Sequence, residues 1–333
     1  MTPALQTHGL VAGYRHRPVL NSLDVAVAPG ELVSILGVNG AGKSTLLRTL
    51  SGSQKPLAGR VDLAGHDAGA MSAHTLARHV GVLLTERLSL GTMPAGSVVE
   101  LGRYPHTGWA GLLTGEDRRI IAEAIGAVGA TALIDRDFNA LSDGERQRIL
   151  IARALAQSTN VLLLDEPAAF LDVSARVQMM AMLRQLARDK GVAVVLSSHD
   201  LELSLRLSDT IWLLDGAGTV LAGAPEDLIA GGQIEAVFSS SAIAFSPGDR
   251  AFRMRNHAQR PAGVSGGPEG LDLVRTVLER QGYEIIADAD RAEVQVELST
   301  YGWTATRGPD RARGTSYGDL ALFLNKADKA KGV

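Results

Sequence analysis

One stretch constrains the fold of this chain more than any other, because a strand pattern, a glycine-rich loop and a helical pattern follow each other directly. The strand is predicted over Glu31–Leu36, the loop is Gly37–Ser44 (GVNGAGKS), and helical spacing runs over Thr45–Leu50. Glycines let consecutive backbone N–H groups turn inward, and with the helix N-terminus they form an anion site. This succession predicts a parallel α/β sheet that binds a nucleoside triphosphate.

The loop fits the pattern G-x-x-x-x-G-K-[ST] in full, which assigns roles to its last two residues. Lys43 would place its charge on the β and γ phosphates, and Ser44 would offer its hydroxyl to Mg²⁺. The alternative is a glycine-rich turn at an ordinary helix start, and the strand and helix on either side argue against it. The predicted ligands are ATP and Mg²⁺, and the predicted nucleotide-binding residues are Gly37, Asn39, Gly40, Ala41, Gly42, Lys43, Ser44 and Thr45.

Two acidic residues follow a second apolar run, Val161–Leu164. Parallel sheets collect ligands at the carboxyl ends of their strands, so Asp165 is predicted to lie near the loop and hold Mg²⁺. Glu166 is the next residue along the chain, so its side chain points in a different direction. It is predicted to polarise the attacking water. Acids that only cap a following helix are the alternative. The upstream phosphate loop favours the catalytic interpretation.

The length of 333 residues and a change in sequence pattern near residue 238 predict two domains. Hydrophobic residues make up 45% of the chain. Strands and helices alternate up to about residue 238, so we assign 1–238 to the nucleotide-binding domain, with a helical subdomain at about 87–155. The remainder, 239–333, is predicted to be a small α+β domain. Within it, the glycines and prolines of Gln259–Gly270 predict an exposed loop.

Composition excludes several classes of function. The formal net charge is -3, which does not indicate a nucleic-acid partner, and the absence of cysteine removes disulfides and cysteine-based sites. The first twenty residues lack the pattern of a signal peptide, and no run approaches the ~18 apolar residues that span a bilayer. A membrane role would therefore act through a partner.

The segment Leu141–Arg148 (LSDGERQR) resembles the signature motif of ABC transporter ATPases, usually written LSGGQ. The resemblance covers about residues 5–230. It implies a P-loop NTPase (RecA-like) core with antiparallel β and helical subdomains, and ATP sites shared between two copies. The residues implied for the site in trans are Ser142, Asp143, Gly144 and Glu145.

Two of these positions depart from the usual motif. Asp143 replaces a glycine, so its side chain is expected to point away from phosphates, and Glu145 replaces a glutamine. Ser142 with Glu145 also fits a capping box. We expect both descriptions to hold, because the cap would shape the helix that offers the site.

Further positions match the family residue by residue. Tyr14 corresponds to the aromatic residue that stacks on adenine, with a core tyrosine as the alternative. Asp172 corresponds to a loop at the dimer interface. His199 corresponds to the switch histidine, which joins Lys43 and Glu166 as the third implied catalytic residue.

One family element is missing. The glutamine that usually touches Mg²⁺ after the next strand is absent from residues 79–87. By direct alignment Thr85 takes its place, with Glu86 as the neighbour.

The stretch Glu100–His106, which contains GRYPH, resembles an importer branch that moves ferric siderophores, haem or cobalamin. The resemblance implies a peripheral ATPase on the cytoplasmic membrane face. Its implied partners are a second copy, integral membrane permease subunits and, indirectly, an extracytoplasmic substrate-binding protein.

The alternatives are a soluble ABC ATPase not coupled to transport, an importer ATPase for another substrate, and a P-loop kinase or other metabolic NTPase. Residues 239–333 lie outside the resemblance. They are hypothesised to regulate the ATPase, with a stabilising appendage as the alternative.

Overall fold

The computed structural model describes residues 2–84, 92–108, 111–239, 243–246, 250–254, 260–268, 270–288 and 291–325. By its internal contacts the chain divides into two compact units. The first comprises Met1–Ser240 and Ala244–Phe252, and the second comprises Ser241–Ile243 and Arg253–Val333. Among the described residues, no helix is both long and apolar enough to cross a membrane.

Up to residue 239, the described part of the first unit contains two sheets. Its strands are β1 (Leu5–Tyr14), β2 (Arg17–Leu23), β3 (Ala26–Val27), β4 (Leu32–Gly37), β5 (Ala58–Leu63), β6 (His66–Asp67), β7 (Val80–Leu83), β8 (Val161–Asp165), β9 (Ala193–Ser197), β10 (Thr210–Leu214) and β11 (Val220–Gly223). Its helices are α1 (Lys43–Leu50), α2 (Ala73–Leu76), α3 (Ala95–Glu100), α4 (Gly115–Ala127), α5 (Asp143–Ala156), α6 (Val173–Lys190), α7 (Leu201–Leu207), α8 (Pro225–Ala230) and α9 (Gln233–Phe238).

The central sheet has the strand order β11-β10-β4-β9-β8-β7, and only β11 runs antiparallel. Strands β4, β8 and β9 are buried along their whole length. Alternate side chains serve different cores: Leu163 and Val195 pack towards α1 and the antiparallel sheet, whereas Leu164 and Leu196 pack towards α5 and α6. Because β9 lies between β4 and β8, the carboxyl ends of these three strands meet at one edge.

The second sheet is antiparallel, with the order β2-β1-β5-β6 and β3 paired to β1. Its apolar residues share one core with α1, which seats this sheet against the phosphate-loop helix. The hairpin between β1 and β2 turns at Arg15 and His16, which both have positive φ angles of 43° and 69°.

A group of helices, α3 to α5, lies between β7 and β8 in the chain. A capping box formed by Thr114 and Asp117 starts α4, and another formed by Ser142 and Glu145 starts α5. The GRYPH stretch forms a 3-10 helix over Leu101–His106. An added Cβ at Gly102 would lie 2.1 Å from the Arg153 carbonyl oxygen, so only glycine allows this close approach to α5.

Among its described residues, the second unit has a five-stranded sheet and two helices. A two-stranded sheet of β12 (Ile243–Ser246) and β13 (Ala251–Met254) lies where the chain passes from one unit to the other. The remaining elements are β14 (Arg260–Gly266), α10 (Leu271–Arg280), β15 (Tyr283–Ile285), β16 (Val294–Ser299), β17 (Gly302–Arg307), β18 (Asp310–Gly314) and α11 (Tyr317–Asn325). The strands form a sheet in the order β15-β14-β16-β17-β18, and both helices contribute to its core.

The expectation of an exposed loop over Gln259–Gly270 is wrong for most of its length. Arg260–Gly266 forms β14 inside the sheet, pairing in parallel with β15 and β16. Glycine and proline are poor strand formers by themselves, but pairing on both sides and the burial of Ala262 outweigh that local preference. The prediction failed because strand neighbours distant in sequence decide this segment.

Candidate nucleotide site at the sheet edge

The glycine-rich loop connects β4 to α1 at the carboxyl edge of the central sheet. Gly40 and Gly42 have φ angles of 81° and 105°, which other residues adopt only with strain, and Gly42 is the N-cap residue of α1. Ala41 is buried, whereas Asn39 and Gly40 are exposed. The loop thus has the backbone shape that an anion-binding loop requires.

Lys43 is buried inside this loop, with an exposed fraction of 7%. Its ammonium donates to the carbonyl oxygens of Gly37, at 2.9 Å, and Val38, at 3.3 Å. Burial lowers the pKa of Lys43, against which the nearby charges of Glu166 and Asp165 act. A desolvated cation held by neutral carbonyls favours an incoming anion such as a phosphate.

Oxygen ligands from three elements meet beside the loop. The Ser44 hydroxyl lies 3.3 Å from Asp165 Oδ1, and the Ser197 hydroxyl donates to the same oxygen at 2.6 Å. In the strand register, Asp165 lies directly opposite Ser197. A hydroxyl beside a carboxylate is the hard-oxygen ligand set that Mg²⁺ uses, so these residues fit the predicted ion.

Glu166 and His199 form a pair at the same edge. His199 Nε2 lies 2.5 Å from Glu166 Oε1, and the Glu166 backbone N–H donates to the Ser197 hydroxyl at 2.9 Å. Glu166 has a φ angle of 51°, which is unfavourable for a residue with a side chain. The strained backbone holds its carboxylate at the sheet edge, which is how residues of active sites are often presented.

Tyr14 lies next to the start of α1, as its hydroxyl accepts a hydrogen bond from the Thr45 hydroxyl at 3.3 Å. Tyr14 is 46% exposed, so it is not a core residue. An exposed aromatic ring beside the loop can stack on a flat ligand.

The segment at the start of α5 is not part of the cluster around Lys43. Among the described residues, the side chains of Ser142, Asp143 and Glu145 hydrogen-bond only within residues 136–146. Asp143 pairs with Arg146 at 3.1 Å, and Glu145 pairs with Arg136 at 2.8 Å. Gly144, between them, lies on the same first turn of the helix and is half-buried.

Asp172 is the N-cap of α6, and its carboxylate accepts a hydrogen bond from the Ala175 backbone N–H at 2.8 Å. The preceding Phe170 has a φ angle of 66° and is 78% exposed. An apolar ring held outwards by an unfavourable backbone is a candidate contact for another molecule. Thr85 and Glu86 lie outside the described residues.

Sequence reasoning missed two residues of this site. Ser197 bonds both Asp165 and the backbone of Glu166, and Arg176 contacts Asp200 next to His199. Ser197 could have been found, because it ends a predicted strand beside the one that carries Asp165. No sequence signal marks Arg176, since its contacts come from the packing of α6.

The comparisons with known proteins agree with this arrangement. The family described as ABC transporter matches residues 20–169. An uncharacterized ABC transporter ATP-binding protein of Methanocaldococcus jannaschii is 36% identical over 285 residues, which cover 85% of this chain and 98% of that protein. The ferric enterobactin transport ATP-binding protein of Escherichia coli is 35% identical over 70% of this chain and 86% of its own length.

Solved structures agree as well. A post-hydrolysis dimer of an ATP-binding cassette bound to ADP and Pi matches with a TM-score of 0.56 and 26% identity, over 66% of this chain and 98% of that one. A chain of an inward-facing transporter described as of metal-chelate type matches with a TM-score of 0.62 and 26% identity, over 71% and 89%. The P-loop NTPase fold predicted from the sequence is confirmed. The chain belongs to the ABC transporter ATP-binding family and is an ATP-hydrolysing subunit of that class.

Proposed function

We propose that this chain hydrolyses ATP at the cluster formed by Lys43, Ser44, Asp165, Glu166 and His199. The observation that carries the proposal is the meeting of these side chains at one sheet edge, with hydroxyl and carboxylate oxygens beside a desolvated ammonium. Phosphoryl transfer needs mostly positioning and charge stabilisation, and this cluster supplies both.

Each residue has a defined task in this proposal. Lys43 binds the β and γ phosphates, and Ser44 and Asp165 hold Mg²⁺. When bound, the ion neutralises charge on the phosphate oxygens. Glu166 orients the attacking water, and His199 contacts the γ phosphate and fixes the Glu166 carboxylate. Tyr14 stacks on adenine beside Thr45, with the loop N–H groups around Gly40 on the phosphates.

The second half of each site comes from another copy of this chain. Ser142 and the N–H groups around Gly144 would contact the γ phosphate from the opposite side, and Asp172 would lie at the interface. Two observations support this: the Ser142 segment is separate from the Lys43 cluster, and Phe170 is exposed. The pairing of Asp143 with Arg146 keeps its negative charge on its own helix.

A Glu166→Gln variant tests the shared site. It should bind ATP, form a dimer with Mg·ATP and turn over at least ~100-fold more slowly, because the amide cannot accept the proton of water. Light scattering with and without Mg·ATP measures the mass. A variant that stays monomeric, both alone and with its membrane partner, would contradict the proposal, and Ser142→Ala added to it should abolish the dimer.

The transported substrate is proposed from the names of the relatives. The relatives include proteins named for achromobactin, ferric enterobactin, iron(3+)-hydroxamate, hemin and cobalamin transport, at 33–39% identity. We therefore propose import of an iron-siderophore, haem or cobalamin-type substrate. In this proposal the chain lies peripherally on the cytoplasmic face, bound to permease subunits, with an extracytoplasmic substrate-binding protein as an indirect partner.

Uptake by cells that lack this gene tests the cargo. Iron chelates, haem and cobalamin are offered separately. Uptake of one of them should be lost with the gene and should return only with a chain that keeps Lys43. If no such compound depends on the chain, the cargo is of another class. Purification with no multi-span membrane protein would instead favour a soluble ABC ATPase.

The coupling residue is also a proposal. We propose that Thr85 or Glu86 replaces the missing glutamine, because threonine can hold a water bound to Mg²⁺. The ATPase activity of Thr85→Ala and Glu86→Ala is measured in the assembled transporter. If both match the wild type, neither residue carries coupling.

For the second unit we propose regulation of the ATPase. The Methanocaldococcus relative aligns over more residues than the first unit contains, so part of the second unit is shared with it. Removal of 253–333 should change the uptake rate or its inhibition while leaving the first unit folded. Unchanged uptake and inhibition would leave only a stabilising role. Removal from 240 is a poor test, because it also deletes Phe245, which is buried in the first unit.

A further inference from the structure

Arg176, in the first turn of α6, connects two segments of the site that are distant in sequence. Its Nε donates to the carbonyl oxygen of Leu171 at 2.9 Å, and its Nη1 lies 3.7 Å from Asp200 Oδ2. The first contact is a hydrogen bond and the second is an ion pair, so one planar guanidinium links Leu171 to Asp200.

Both ends of this connection lie at residues with tasks in the site. Leu171 stands between exposed Phe170 and Asp172. Asp200 follows His199 directly, and as the N-cap of α7 it accepts a hydrogen bond from the Leu203 N–H at 3.0 Å. His199 in turn contacts Glu166. Arg176 therefore links the Phe170 loop, through one side chain, to the start of α7 next to His199.

Open space lies beside the Arg176 side chain. It lines two adjoining cavities of about 240 and 420 Å³, one shared with Glu166 and Phe170 and the other with Gly37, and His199 borders both. Its side chain is 42% exposed, and ion pairs so exposed contribute little to stability. A structural anchor for α6 would not need this position, since Asp172 already caps the helix.

We propose that Arg176 is a positioning residue, which transmits the contact made at Phe170–Asp172 to His199 and Glu166. The inference rests on the proposed function, because it takes the second copy of the chain as the molecule that contacts this loop. Arg176 touches neither ATP nor the reacting water in this proposal. It sets the rate of hydrolysis by holding His199 in register with the loop.

The chain offers a matched control on the same helix. Arg184 also binds one backbone carbonyl, that of Leu207, and one aspartate, Asp209 at 3.1 Å. These contacts lie at the far end of α7, away from His199. Arg176 and Arg184 thus both lie on α6 and each contacts one backbone carbonyl and one aspartate, and they differ in their proximity to the site.

The experiment compares Arg176→Gln and Arg184→Gln in the full chain. ATPase kcat, KM for ATP and the unfolding temperature are measured for each. Arg176→Gln should lower kcat about tenfold with KM within about twofold and the unfolding temperature near wild type. Arg184→Gln should lower the unfolding temperature and leave kcat within about twofold. Equal kcat losses in the two variants, or a wild-type kcat in Arg176→Gln, overturn the inference.

Two further variants separate positioning from charge. Arg176→Lys keeps the charge without the fork and should lose an intermediate part of kcat. Asp200→Asn can still cap α7 but cannot pair, so its effect should not add to that of Arg176→Gln. Fully additive losses overturn the proposed connection. If the wild-type chain hydrolyses no ATP, the proposed function itself fails, whereas an active wild type with an unaffected Arg176→Gln variant refutes this inference alone.

Discussion

Two buried cations in the first unit are used in opposite ways. Arg103, in the GRYPH stretch, is 5% exposed and bonds Asp117 at 2.8 Å, with further bonds to the Ala156 carbonyl at 2.8 Å and the Ser158 hydroxyl at 3.0 Å. Lys43 is 7% exposed and binds only carbonyl oxygens of its own loop among the described residues. One charge is neutralised within the fold, and the other is not.

The difference shows that Arg103 stabilises the fold, whereas Lys43 is left to bind a ligand. Hydrogen bonds from the side chain and backbone of Thr114, with the Arg103 contact, lower the pKa of Asp117 to about 2. That pair is complete and joins α4 to the end of α5. Lys43 has lost water without gaining a directly bonded acid, so it is predicted to bind phosphate. GRYPH, which suggested a cargo class, therefore contains an arginine with a structural task.

The largest effect is expected for Arg103→Met. The substitution leaves the Asp117 carboxylate buried without its cation, which should lower the free energy of unfolding by about 3–5 kcal/mol. Denaturant unfolding measures it, while ATP affinity of the folded chain should not change. Arg119→Met on α4 is the control, because Arg119 pairs with Glu116 on the surface and its loss should leave the midpoint unchanged.

The next largest effect is expected for Lys43→Met, and on binding instead of stability. ATP affinity should fall at least ~100-fold, since the charge that meets the phosphates is lost. The free energy of unfolding should stay equal or rise, because a desolvated charge is removed. Calorimetric titration and denaturant unfolding measure the two. Lys55→Met, on the surface, should change neither, and a stability loss like that of Arg103→Met would erase the contrast.

Ser197→Ala should have a smaller effect, which concerns catalysis at the carboxyl edge of the central sheet. It removes the bond to Asp165 and leaves the Glu166 N–H without its acceptor, so kcat should fall about tenfold. ATP binding should change less. Ser34→Ala is a matched control, as Ser34 is also buried and bonds the Ser208 hydroxyl at 2.6 Å. Similar kcat in both variants would show that Ser197 only stabilises the sheet.

The smallest effect is a pH dependence beside Arg103. Burial lowers the pKa of His106, opposed by its bond to the Gln157 carbonyl and assisted by Arg103 and Arg78. As the pH falls, the unfolded ring, with a pKa of ~6.5, binds a proton before the folded ring does. This stability is therefore present above that pH and is lost as the pH falls below it.

Unfolding temperatures at pH 7.5 and 5.5 measure that loss, which should be about 1–3 °C. His106→Gln should remove it, because glutamine does not titrate. The Asp117 pair stays ionised over this range. A larger fall in unfolding temperature, seen in both the wild type and His106→Gln, would therefore come from other groups.

Some of this protein could be read from local sequence because the determining residues are contiguous. Gly37–Ser44 and Val161–Glu166 each carry a strand and its polar end in one stretch, and parallel pairing brings such ends together. The capping box of Ser142 and Glu145 is also local, and the structure contains it. The roles predicted for the site residues stay predictions.

Only the tertiary structure decided which distant groups are partners. Arg103 meets Asp117 and Ala156, and Arg176 meets Asp200, both through packing that no local pattern encodes. The same reason explains β14, where pairing on both sides outweighed glycine and proline. Sequence by itself determined the chemistry of the phosphate loop, because that chemistry lies in adjacent backbone groups. Tertiary structure decided which charges are neutralised and which are left for a ligand, because neutralisation depends on neighbours in space.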